Sequence, residues 1–119
     1  DITIPPGSTD YKVTNVCPSE CTEAMTKPSK VIAVAPHMHQ AGRRIKTRHF
    51  RGDKELSPLT NRDYYDFNQQ TQNTVNTEVR PGDSFVTTCE YNTEGRQRTT
   101  TWGSGTEDEM CFVYVLLYP

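Results

Sequence analysis

Short apolar stretches separated by turn chemistry at fairly regular intervals constrain this chain more than any other feature. Pro5-Pro6-Gly7, Arg51-Gly52-Asp53, Arg80-Pro81-Gly82-Asp83 and Thr93-Glu94-Gly95 all punctuate as turns. Between them, strands are expected over 2–4, 11–16, 31–36, 43–51, 64–68, 74–79, 84–91 and 110–117. Alternation near Thr74, Asn76 and Glu78 places Val75 and Val79 on an opposite, buried face. The run Val31-Ile32-Ala33-Val34-Ala35 does not alternate and reads as a strand buried on both faces. One short helix is expected over 20–26, ended by Pro28. Nothing repeats internally, and 119 residues suffice for one modest core. The expectation is therefore a single all-β domain over 1–119, an antiparallel β-sandwich of jelly-roll type.

Composition excludes several classes of partner. With 13 basic and 15 acidic residues the net charge is −2, and the basic residues are scattered except around 43–51. That is no footprint for nucleic acid or for an anionic membrane. No apolar run approaches the roughly 20 residues that span a bilayer, so no membrane insertion is expected, and the opening DITIPPGSTD does not read as a signal peptide. Four cysteines, Cys17, Cys21, Cys89 and Cys111, make an even set that points to disulfides and an oxidising compartment. Their spacing fits paired zinc knuckles poorly.

The sharpest chemical signal is APHMHQAGR at 35–43. On a strand, residues i and i+2 share a face, so His37 and His39 project together while Met38 points the other way. Neutral imidazoles so placed hold Cu or Zn in many β-proteins, but two ligands do not close a site. His49, among Arg48, Phe50 and Arg51, reads as a half-exposed strand residue on a strand leading away from the pair. Met110 reads from its chemistry either as a core residue filling space or as a soft third donor that would favour Cu(I).

Three stretches then act together: HMHQAG at 37–42, PGDSFVTTCEYNT at 81–93 and GTEDEMCFVYVLLYP at 105–119. They resemble, in order and spacing, the second half of the catalytic core of the copper type II, ascorbate-dependent monooxygenases. IPPGSTDYKVTNVCPSECT near the start and YYDFNQQ at 64–70 resemble the dopamine-β-hydroxylase-like branch. The resemblance implies that His37, His39 and Met110 hold one copper ion, at which O2 is activated for hydroxylation of a small-molecule substrate. It implies ascorbate as the external reductant, and a location that is secreted, extracellular or in a secretory-vesicle lumen. It also implies a Cys89–Cys111 disulfide, which would fix the backbone beside Met110. Cys17 and Cys21 depart from the pattern, since in longer relatives cysteines of this CxxxC reach partners beyond Pro119; a small Cys17–Cys21 loop is expected here, with unpaired thiols as the alternative.

Family enzymes carry a second copper-bearing domain that stores an electron, so a chain with the O2 site alone is expected to turn over poorly. A non-catalytic copper module for storage, delivery or sensing is the competing expectation. In the peptide-amidating branch an arginine and an asparagine near the ligands hold a peptide carboxylate. Here Ala35 and Phe112 stand at those positions, which argues against a glycine-extended peptide. Tyr114 matches a substrate-facing tyrosine of that branch and is a possible substrate contact, although strand tyrosines are often simple packing. The acidic run Glu107-Asp108-Glu109 reads as a solvated loop, with attraction of a cationic substrate or of copper itself as the alternative. Trp102 would either shield a metal or cap the sandwich.

Overall fold

The computed structural model describes residues 2–69 and 75–118. Among them the strands are β1 (Thr3–Ile4), β2 (Tyr11–Cys17), β3 (Ser29–His37), β4 (Gly42–Arg51), β5 (Lys54–Arg62), β6 (Glu78–Val79), β7 (Ser84–Tyr91), β8 (Thr100–Thr101) and β9 (Phe112–Tyr118). They form a four-stranded sheet in the order β2-β7-β4-β5, a three-stranded sheet β6-β3-β9, and a short β1-β8 ladder. Every ladder is antiparallel. The all-β sandwich expected from the turn spacing is the architecture of the chain.

The two larger sheets face one another through Val31, Val34 and Val79 on one side and Leu59 and Phe85 on the other. A second cluster, with Ile4, Met38, Ile45 and Tyr91 at its centre, closes the end of the sandwich where β3 turns into β4. Each such side chain contributes about 1.5–3 kcal/mol by leaving water. The end of the sandwich that carries the histidine pair is thus built on core packing.

The sequence reading needs correction at several elements. It missed β5, whose Pro58 and weak alternation hide a strand; β5 lies at a sheet edge, where a missing N–H is tolerated. The stretch 64–68 is no strand but leads into a 3-10 turn, Phe67–Gln69. For 74–79, residue 74 lies outside the described residues and only Glu78–Val79 pairs. The helix expected over 20–26 is a single 3-10 turn, Ser19–Cys21. A segment this short cannot offset helix nucleation, and Thr22 is tied elsewhere, its hydroxyl donating to Asp83 O at 2.7 Å.

β3 is not buried on both faces. Ile32 is 42% exposed, and a register shift falls between Val31 and Ala33. Partners across the ladder share a face, so Ala33, Ala35 and His37 line up with Leu116, Tyr114 and Phe112 on an uncovered outer surface. Cys17 and Cys21 do not form the expected small loop; both are free thiols. One ends a strand and the other ends the 3-10 turn, and disulfide geometry is too specific to follow from proximity in sequence. Burial and the neighbouring Cys21 thiol push Cys17 up to about 12.

At the far end of the sandwich the β6–β7 turn is locked by one carboxylate. Gly82 takes φ +89°, a left-handed conformation that glycine adopts freely. Asp83, 1% exposed, accepts from Arg51 Nε and Nη2 at 3.0 Å each, from the Arg80 N–H at 2.9 Å, and contacts His49 Nε2 at 2.7 Å. His49 also stacks on Phe85, with ring centroids 4.7 Å apart. It is fully buried rather than half-exposed, because the β4 face that carries Ile45 and Thr47 inward carries His49 too.

Candidate metal centre

β3 ends on His37, and residues 38–41 turn the chain into β4, closed by the Gly42 N–H donating to His39 O at 3.1 Å. The turn is held from inside by Met38. Its side chain is fully buried, its N–H donates to the Tyr65 hydroxyl, and that hydroxyl donates back to Met38 O, both at 3.0 Å. A Cβ at Gly42 would lie 2.6 Å from Met38 Cβ, so only glycine permits this close approach. With Met38 fixed inward, His37 at the end of β3 and His39 in the turn bring their rings together. Their ring centroids are 5.1 Å apart and meet edge to face at 85°.

His39 is 5% exposed and its Nδ1 lies 3.1 Å from the Asp108 carbonyl. A carbonyl only accepts, so Nδ1 carries the hydrogen and Nε2 keeps the ring's lone pair, the atom by which such an imidazole could ligate. Phe67 meets the same ring edge to face at 5.9 Å. His37 lies toward the outer surface, 6.2 Å from the Tyr114 ring. Tyr114 is 59% exposed and therefore is not serving as core packing.

The loop before β9 reaches the histidine turn through Glu109, which is fully buried. Its Oε1 accepts the His39 N–H at 2.9 Å and the Met110 N–H at 3.2 Å, and its Oε2 accepts the Ala41 N–H at 2.8 Å. Burial pushes this carboxyl up from the usual range, while the three N–H groups and His39 favour its charged form. On the other side of Met110, the Tyr91 hydroxyl donates to the Met110 carbonyl at 2.6 Å. One residue further on, Cys111 is joined to Cys89. The half-buried Met110 is therefore tied to the histidine turn through a single carboxylate oxygen.

The acidic run is not a solvated loop as a unit. Glu107 is exposed and pairs with Arg98 at 2.8 Å, Asp108 accepts the Gly105 N–H at 3.1 Å, and Glu109 is an interior group. Trp102 is 56% exposed, and its backbone bridges that of Glu109. The sequence reading missed Glu109, Tyr91 and Tyr65. Adjacency to Met110 was the only available signal for Glu109, and charge composition pointed the other way.

Among the described residues no three His, Cys, Asp or Glu side chains gather to hold a metal. Two imidazoles with one thioether make a soft, neutral donor set that suits copper, its reduced form above all, and suits zinc poorly.

The family model described as copper type II ascorbate-dependent monooxygenase, C-terminal domain, matches residues 1–119. The chain belongs to this family. It is 41% identical over 124 residues to human DBH-like monooxygenase protein 1, covering 98% of the chain and 20% of that protein. It is 38% identical over 120 residues to MOXD1 homolog 1 of Drosophila melanogaster, covering 98% and 17%, and 34% identical over 120 residues to human dopamine beta-hydroxylase, covering 98% and 19%. The monooxygenase C-terminal domain thus spans about a fifth of the length of these relatives. No helix among the described residues is long and apolar enough to cross a membrane.

Proposed function

We propose that His37, His39 and Met110 hold one copper ion at which O2 is activated, and that the chain is the oxygen-activating part of an ascorbate-dependent hydroxylase of small molecules. The supporting observation is the edge-to-face pair His37 and His39 with Met110 roped to His39 through Glu109. Copper held there would supply one-electron redox chemistry toward O2, and a thioether donor would favour its reduced state. The overall reaction is R–H plus O2, two electrons and two protons, giving R–OH and water. Two ascorbate molecules, each giving one electron, close the balance.

The chain's own residues supply position. The Asp108 carbonyl holds the His39 ring by its Nδ1, and Phe67 packs edge to face against that ring. Tyr114 and Phe112 leave an exposed apolar surface beside His37, on which an apolar or amine-bearing substrate would rest. Ala35 and Phe112 offer no partner for a peptide carboxylate. Because the relatives are about five times longer, we assign the storage of the second electron to another copper-bearing domain. The Cys89–Cys111 disulfide fits a secreted protein or a vesicle lumen.

The test is Cu(I) titration of the wild type, His37→Ala and Met110→Ala, followed by O2 uptake with ascorbate. One equivalent of Cu(I), lost or weakened at least tenfold in both variants, supports the ligand set. Binding unaffected by either substitution refutes it. A hydroxylated product formed with O2 uptake supports the hydroxylase, whereas uptake that yields only peroxide with every substrate class points to a copper-binding module.

A further inference from the structure

We infer that Glu109 and Tyr91 are positioning residues that clamp both peptide groups of Met110 and so aim its thioether at the histidine pair, an inference that rests on the copper reading above. Met110 is a demanding ligand to recruit. Its sulfur is a weak, uncharged donor at the end of a side chain with three rotatable bonds, so each freedom the main chain retains lowers the fraction of time the sulfur faces the metal. In this structure the main chain retains little. The Met110 N–H rests on Glu109 Oε1 at 3.2 Å and its carbonyl on the Tyr91 hydroxyl at 2.6 Å.

Each clamp is anchored to the element that carries the histidines. The Glu109 carboxylate is fully buried, and all three of its N–H donors belong to the ligand-bearing segments: His39, Ala41 and Met110. A carboxylate placed merely to close its own loop would not send two of three bonds across to residues about 70 positions away; the separations are 70 for His39 and 68 for Ala41. Tyr91, also fully buried, pairs with Gly42 where β4 leaves the histidine turn. It lies two residues after Cys89 on β7, so one strand holds Met110 by its carbonyl and Cys111 by its sulfur. The histidine turn, β7 and the Met110 segment are thereby tied to one another. Burying a charged group without a salt-bridge partner is expensive, and here three hydrogen bonds between ligand segments offset that expense.

Tyr91→Phe removes one hydroxyl and keeps the ring that fills the core; Glu109→Gln keeps the shape but turns an amide N–H donor toward backbone N–H donors. The readouts are Cu(I) affinity by competition with a chromophoric chelator and the sulfur scatterer at the copper X-ray absorption edge, both measured on the whole chain. The wild type comes first, since a wild type without a sulfur scatterer refutes the ligand set itself and takes this inference with it. With sulfur present, each variant is expected to lower Cu(I) affinity about tenfold, the size usual for groups that orient a ligand. It should also weaken the sulfur signal and add little to the loss already caused by Met110→Ala. Variants that melt earlier but keep the sulfur signal and an affinity within twofold of wild type overturn the inference and leave both residues purely structural. If Glu109→Gln does not fold, Tyr91→Phe decides alone.

Discussion

Asp83 makes acid sensitivity a quantitative test of the far end of the sandwich. The carboxyl is 1% exposed, and burial alone would raise its pKa; the Arg51 guanidinium, the Arg80 N–H and His49 outweigh burial and bring it to about 2. An unfolded aspartate titrates near 4, and each factor of ten in proton affinity is worth about 1.4 kcal/mol, so ionised Asp83 contributes about 2 to 3 kcal/mol to folding. The pKa is depressed in the folded state, so this contribution is fully present above about pH 4, declines as pH falls toward 2, and is absent below. Thermal unfolding of the wild type and Asp83→Asn, followed from pH 6 to pH 2, isolates it from the other carboxylates. At pH 6 the variant should be less stable by at least that amount, roughly 10 °C in Tm for a chain of this size. The gap should narrow as the pH approaches 2. A constant gap across the range would refute the argument, because Asp83 would then stabilise by shape and not by charge.

Reducing the Cys89–Cys111 bond, or replacing both residues with Ser, should cost about 3 kcal/mol in the chain-entropy model for a separation of 22 residues, read as a denaturant midpoint shift at unchanged slope. An unchanged midpoint would show that the reduced chain keeps the loop closed without the bond. Gly42→Ala should lose about 1–3 kcal/mol by driving a methyl into Met38, and Gly52→Ala, where a Cβ meets nothing but strains φ +61°, serves as a backbone-only comparison. Equal losses in the two variants would mean that packing against Met38 is not what fixes the histidine turn.

The strands that alternate or lie between clear turn residues were legible because side-chain direction in a strand follows local order alone: β4, β7 and the end of β3 fall where the sequence puts them. The rings of His37 and His39 do come within 5.1 Å of each other, but through the turn that follows β3 and not through strand alternation. Elements without their own pattern were not legible. β5 carries Pro58 and was hidden because only its place at a sheet edge makes it tolerable, and edge or centre is a property of the assembled sheet. The outer face of β3 looked buried because Val31, Ile32 and Val34 are apolar, and whether anything covers an apolar face is not encoded in the face itself.

By itself, the sequence determined an all-β sandwich, two histidines one residue apart, and a resemblance strong enough to nominate Met110. Only the tertiary structure decided that Glu109, in a run that reads as a solvated acidic loop, is an interior carboxylate joining the histidine turn to the Met110 segment. The physical reason is that a carboxylate's role depends on which donors surround it. Those donors are backbone N–H groups, which every residue carries alike and which only the fold brings together.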